Sequence, residues 1–221
     1  MGGRAGRPEL VIFDLDGTLI DSEPISLGAW VKAAREFGLE MSRRELLQFL
    51  GRSNQAIAEL AFELYGWDVP FQEIFHRKGE IASLEYQKGI PLKPGVHEVL
   101  SALEDLGIRR CIATSSSRKR SGDLLESIGL AGRFEFVITG EDIVHSKPHP
   151  EIFLQCLART GIPADRAMVV EDSRNGIVAA KQAGATAVLI PDVLEPDEEM
   201  KEHADLIFGS LLELKDHLIK S

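Results

Sequence analysis

Two cysteines in 221 residues argue against a disulfide framework. Cys111 and Cys156 each lie among apolar neighbours, which predicts reduced, buried thiols. The chain also lacks an excess of positive charge. Its formal net charge is -10, so nucleic acid and anionic membrane are poor candidates as partners. Any phosphate site must then be made locally, by a metal, a lysine and backbone N–H groups. No apolar run approaches the ~20 residues of a membrane span. The basic start, Met1 to Pro8, is not followed by an apolar segment long enough for a signal peptide. That stretch reads as a disordered leader, and the expected compartment is the cytoplasm. What is present, 44% hydrophobic and 27% charged residues, is ordinary for a globular protein. The length suits one full domain, or a domain with a modest insertion.

From Ser22 to about Lys88 the pattern is helical. Ala29, Trp30, Ala33, Ala34 and Phe37 recur at helical spacing and Gly38 supplies a stop. Ser42 followed by Glu45 is a capping-box signature for a second helix. Asn54–Tyr65 and Phe71–Gln87 read as two more. Gly89, Pro91, Pro94 and Gly95 punctuate the exit from this segment. From Val96 onward helices alternate with short, almost wholly apolar strands at 110–114, 136–138, 167–170 and 187–190. A further strand is expected at 205–208 and a closing helix at 211–219. Repeated units of this kind predict an α/β fold: a Rossmann-like, doubly wound parallel sheet with helices on both faces. The expected division is a core of 1–20 and 92–221 carrying an inserted all-helical cap at 21–91. Ligands of such sheets bind beyond the carboxyl ends of the strands, so polar residues there carry the functional signal.

The first strand, Leu10–Phe13, ends on Asp14-Leu15-Asp16-Gly17. If the extended geometry persists, Asp14 and Asp16 point the same way. Two like charges held that close repel unless a cation lies between them or one carries a proton. The plain alternative, a strand ending in a solvated turn, explains one Asp and the Gly but not the second Asp. After the second strand come Thr114-Ser115-Ser116-Ser117, either caps for the next helix or a phosphate cradle. Lys147 stands between Ser146 and Pro148, before a helix start. A lysine is most often a solvated surface residue, yet prolines at 148 and 150 stiffen the backbone around this one. Val170-Glu171-Asp172 ends another strand on two carboxylates. Oxygen-only ligands fit a hard cation such as Mg2+, and no His/Cys cluster argues for zinc.

Asp14-Leu15-Asp16-Gly17-Thr18-Leu19 resembles the first signature, D-x-D-G-T-L, of the haloacid dehalogenase superfamily of phosphoryl-transfer enzymes. Ser115 is similar to the hydroxyl residue of its second motif, Lys147-Pro148-His149-Pro150 to the third, K-P-x-P, and Glu171-Asp172-Ser173 with Gly176 to the fourth, E-D-S-x-x-G. The resemblance runs over nearly the whole chain, toward the branch that contains β-phosphoglucomutase and phosphoglycolate or sugar-phosphate phosphatases. It implies that Asp14 is a nucleophile forming an aspartyl phosphate and that Asp16 is the general acid/base. Lys147 would neutralise the phosphoryl group, with Ser115 and Ser116 binding it. Mg2+ would be held by Asp14, the Asp16 carbonyl and Asp172, with Glu171 in support directly or through water. The cap would close over the site and recognise the leaving group. The substrate implied is a small phosphorylated metabolite, and a monomer is the default for this branch.

Cap residues separate phosphatase from mutase. Mutase relatives carry a His in E-P-x-H, where Glu23-Pro24-Ile25-Ser26 has Ser26. They also use an Arg after a G-x-S turn, where Gly51-Arg52-Ser53 is followed by Asn54 and the Arg comes earlier, at 52. Lys78 does align with a phosphate-contacting cap lysine. Ser22 completes the cap positions of interest. The expectation is a Mg2+-dependent phosphatase for a small phosphate monoester, with a sugar phosphomutase as the alternative.

Overall fold

In the computed structural model, residues 7–50, 54–66, 68–193 and 195–221 are described. Strand β1, Leu10–Phe13, is buried along its whole length, as a strand covered on both faces requires. After it the chain leaves the sheet for four helices: α1 (Glu23–Glu36), α2 (Arg43–Leu47), α3 (Asn54–Tyr65) and α4 (Phe71–Tyr86). It returns as α5 (Val96–Asp105), β2 (Arg109–Ala113), α6 (Arg118–Ser127) and β3 (Val137–Ile138). Then follow α7 (Glu151–Thr160), a 3-10 turn at Ala164–Arg166, β4 (Ala167–Glu171), α8 (Arg174–Gln182) and β5 (Thr186–Leu189). The chain ends with α9 (Glu198–His203), β6 (Leu206–Ile207) and α10 (Leu211–Lys220). The sequence assigns no element to the stretch holding α9. This helix is only six residues long, so its start rests on one local bond, the Asp197 side chain accepting the Met200 N–H.

The six strands form one parallel sheet in the order β3-β2-β1-β4-β5-β6. The order reverses between β1 and β4, which places a crevice at their carboxyl ends. Phe13 pairs with Ile112 on one side and Val170 on the other. One step further on, Asp14 therefore comes level with Ala113 and Glu171, the last residues of β2 and β4. Under the sheet, Phe153 and Ile152 of α7 and Ile177 of α8 pack on Ile12, Ala113 and Val169. Cys111 and Cys156 are buried in the same cluster as free thiols.

The chain divides into two compact units, 1–21 with 91–221, and 22–90. Among the described residues of the second, all regular structure is helical. Its core is aromatic: Trp30 stacks on Phe71 with ring centroids 5.5 Å apart, and Phe49 meets Trp30 edge-on at 5.2 Å. Ala29, Ala33 and Ala34 complete the buried stripe of α1. The capping box at α2 is complete, with Ser42 and Glu45 each bonding the other's backbone N–H. Where the first unit opens for the insertion its two chain segments are sewn together. The Asp21 N–H donates to Pro91 O and the Lys93 N–H to Leu19 O, both at 2.9 Å. The Lys93 ammonium also reaches Asp192 at 2.5 Å and Asp21 at 3.5 Å.

Candidate active site

Four loops of the first unit meet at the crevice between β1 and β4. Asp14 follows β1 directly, and its N–H still donates to Val170 O at 3.0 Å. Lys147 arrives from the segment after β3, through a cis peptide to Pro148. Its ammonium donates to Asp14 Oδ1 and Glu171 Oε1, both at 2.6 Å, and to Ala113 O at 3.1 Å. It also lies 5.0 Å from the Phe153 ring centroid. Only 6% of the Lys147 side chain is exposed, so the solvated-lysine reading fails here. Burial by itself would lower the Lys147 pKa, but the Asp14 and Glu171 carboxylates outweigh it and hold the ammonium firmly charged.

Glu171 has both oxygens engaged. One faces Lys147; the other accepts from the N–H groups of Asp172 and Ser173 and from the Ser173 hydroxyl, at 3.1, 3.0 and 2.8 Å. It therefore tethers Lys147 and the turn into α8. Gly176 is the condition for this: a Cβ there would overlap the Glu171 carboxylate. Asp172 points toward the first loop, where Thr18 Oγ1 donates to it at 3.0 Å. Gly17, at φ +83°, lies so close that a Cβ would overlap the same carboxylate. A residue with positive φ and no room for a side chain has to be glycine.

Asp14, Glu171 and Asp172 thus share one buried space with a single ammonium. Burial first, then repulsion by Glu171, outweighs Lys147 and lifts the Asp14 carboxyl to about 7. Burial, Glu171 and Asp14 raise Asp172 well above the carboxylate range. This surplus of negative charge, on oxygen donors only, fits a hard divalent cation between Asp14 and Asp172.

Asp16 is placed differently from the expectation that it shares a direction with Asp14. The strand ends at Phe13, so its alternation does not carry through the turn. Asp16 instead meets α6: Arg120 donates to both of its oxygens, at 2.8 and 2.7 Å, and the Ser116 hydroxyl donates at 2.9 Å. Arg120 also bonds Ser116. The sequence reading missed Arg120. The available signal was that Ser117 caps α6, which puts Arg120 in the first helical turn, beside the loop that carries Ser116. Ser115 is exposed and its carbonyl packs tightly against Gly140.

The candidate positions of the helical unit are less gathered. Ser22 is buried and precedes α1, and the Ser26 N–H donates to its carbonyl at 3.0 Å. Ser26 is half-buried. The Lys78 ammonium lies 5.7 Å from the Trp30 ring centroid. Asn54 opens α3, while Gly51, Arg52 and Ser53 fall outside the described residues.

A family model described as haloacid dehalogenase-like hydrolase matches residues 11–190. The chain belongs to that family. Among members of this hydrolase family, hexitol phosphatase B of Escherichia coli is 31% identical over 205 residues, 92% of each chain. A phosphorylated carbohydrates phosphatase of Thermotoga maritima is 31% identical over 80% of this chain and 82% of its own. The crystal structure of CbbY from Rhodobacter sphaeroides, in complex with phosphate, superposes with a TM-score of 0.77 at 27% identity, covering 94% of this chain and 96% of that one. Both the resemblance read from the four motifs and the α/β, Rossmann-like class are borne out.

Proposed function

We propose that this haloacid dehalogenase-like hydrolase is a Mg2+-dependent phosphatase acting in the cytoplasm, as a monomer, on a small phosphorylated metabolite of the sugar-phosphate or phosphoglycolate type. The reading rests above all on one contact, the buried Lys147 ammonium 2.6 Å from Asp14 and 2.6 Å from Glu171. A cation held against a carboxylate nucleophile serves a reaction that brings a further anion to that carboxylate. The phosphatases among the relatives support the same reaction class.

Asp14 attacks phosphorus, the bond to the ester oxygen breaks, and the departing alkoxide takes a proton from Asp16. Asp16 then removes a proton from water as that water attacks the aspartyl phosphate, and the bond from phosphorus to Asp14 breaks. Lys147 and Ser116 stand where they can stabilise charge on the transferring oxygens. Arg120 holds the Asp16 carboxylate in place for both proton transfers. The carboxylates of Asp14 and Asp172, with the Asp16 main-chain carbonyl, would hold Mg2+. When bound, the ion neutralises charge on the phosphoryl oxygens. Glu171 acts through Lys147. Arg52, Asn54 and Lys78 are the helical-unit residues assigned to selecting the leaving group. Ser26 and Asn54, in place of the His and Arg of mutase relatives, favour hydrolysis over transfer to a second sugar hydroxyl.

The test is phosphate release from a panel of small phosphate esters with Mg2+, with Asp14→Asn as the blank. Release by wild type and none by the variant supports the proposal. Substantial turnover by folded Asp14→Asn would remove the nucleophile. Isomerisation of a hexose 1-phosphate with little free phosphate would make the enzyme a mutase.

A further inference from the structure

Lys147 is flanked by two histidines whose side chains the fold brings together with a carboxylate. Ligand atoms of His145, His149 and Glu151 all lie within 4.8 Å of one another. The His145 and His149 rings are 4.6 Å apart, tilted by 36°. His145 Nδ1 is 2.9 Å from Glu151 Oε2, and His149 Nδ1 is 4.0 Å from the same oxygen.

The arrangement is held from several sides. The His149 N–H donates to Ser146 O at 3.0 Å, closing the turn that carries Lys147. The Glu151 carboxylate accepts from the N–H groups of Val144 and His145, each at 2.9 Å. Those bonds, with the His145 ring, hold the Glu151 pKa down at about 2, so this ligand is ionised at any working pH. Pro148 and Pro150 fix the backbone on either side of His149. The Lys147 side chain, bonded to Asp14 and Glu171, anchors the middle of the segment. The three groups are therefore gathered in advance, which removes much of the ordering cost of binding.

We propose that His145, His149 and Glu151 form a second metal site, specific for a borderline transition-metal dication of the zinc class. Two imidazole nitrogens and one carboxylate oxygen match three-ligand zinc sites with an open fourth position. The same set disfavours Mg2+, which takes oxygen ligands. The site is thus chemically distinct from the all-oxygen cluster at Asp14 and Asp172. Residue spacing along the chain did not announce it, because the turn after Ser146 is what closes the distance. Any proton on an imidazole nitrogen that takes the ion passes to solvent on binding. The bound ion ties both ends of the lysine turn to the first turn of α7, so occupancy bears directly on the segment that delivers Lys147.

The test uses untagged full-length protein in saturating Mg2+, titrated with Zn2+ while the histidine ring resonances are followed by NMR. The chain has six histidines. The expected result is a single saturable event that moves the rings of His145 and His149 and leaves those of His76, His97, His203 and His217 in place. Co2+ in place of Zn2+ should give the intense visible absorption of a low-coordinate site with nitrogen ligands. Both histidines are half or more exposed, so His145→Ala and His149→Ala should fold normally. Each should weaken binding about tenfold or more, the scale that even outer partners of a metal ligand command. Asp172→Asn should leave binding unchanged. Still rings, binding that survives in the double histidine variant, or binding lost in Asp172→Asn would each overturn the proposal. None of these readouts depends on turnover, so the outcome stands apart from the phosphatase reading.

Discussion

Removing a charge from the carboxylate cluster should make the metal-free protein more stable. Asp172 is half-buried beside Asp14 and Glu171, accepts a hydrogen bond from Thr18 Oγ1, and has its pKa raised well above the usual range. A raised acid pKa means that the folded state binds protons more tightly than the unfolded one, so stability falls as pH rises. For Asp14 the window can be stated, from the ordinary 3.8 to about 7. That shift is equivalent to about 4 kcal/mol across the whole window. Asp172→Asn removes one of the crowded charges but leaves an amide in place of the carboxylate, at a desolvation cost of about 1–2 kcal/mol. The net expectation is a gain in stability at pH 8 in EDTA that shrinks as the pH falls and vanishes only below about pH 3, where the carboxyls are protonated in the unfolded chain as well. Urea denaturation at several pH values measures it. Saturating Mg2+ should reverse the order: wild type gains about 2.7 kcal/mol at one hundred times the dissociation constant, and the variant gains little. A variant less stable than wild type at pH 8 without metal would refute the charge-surplus argument, and with it the case for a cation between Asp14 and Asp172.

Arg120→Ala should lower kcat by about 10- to 100-fold, the equivalent of a bidentate charge-assisted contact worth about 1.5–3 kcal/mol. KM should change little, Arg120→Lys should recover part of the loss, and an unchanged kcat in steady-state kinetics would show that Arg120 does not position Asp16. Two glycine substitutions test packing in opposite directions. Gly176→Ala forces a Cβ into the Glu171 carboxylate and should cost about 2 kcal/mol or more, read as a lower urea midpoint together with lost activity. Gly122, exposed in α6 with open space around its missing Cβ, is the contrast. Gly122→Ala should raise stability by about 0.4–1 kcal/mol without touching turnover, since it restricts only the unfolded chain and a helix position.

The sequence by itself determined the sheet and the order of its parts. Apolar runs such as Leu10–Phe13 and Ala167–Val170 are strands because so continuous a hydrophobic stretch is stable only when covered on both faces. Helices followed wherever periodic apolar residues ended on glycine. The acids at 14, 16, 171 and 172 and the lysine at 147 were legible because parallel strands deliver whatever follows them to one edge. Tertiary structure alone decided which charge met which. Asp14 and Asp16 are two residues apart, yet one bonds a lysine from the segment after β3 and the other an arginine from α6. Arg120 is an ordinary helix residue until β1 and α6 are set side by side. Glu171, one of a pair of neighbouring acids, became the tether of Lys147 because Gly176 left room for its carboxylate. His145, His149 and Glu151 came together only when the turn at Ser146 closed. Periodicity and burial are local properties that a chain carries with it. Pairing across 100 residues or more, as between Asp16 and Ser116, depends on which loops the sheet order makes neighbours, and that exists only once the chain has folded.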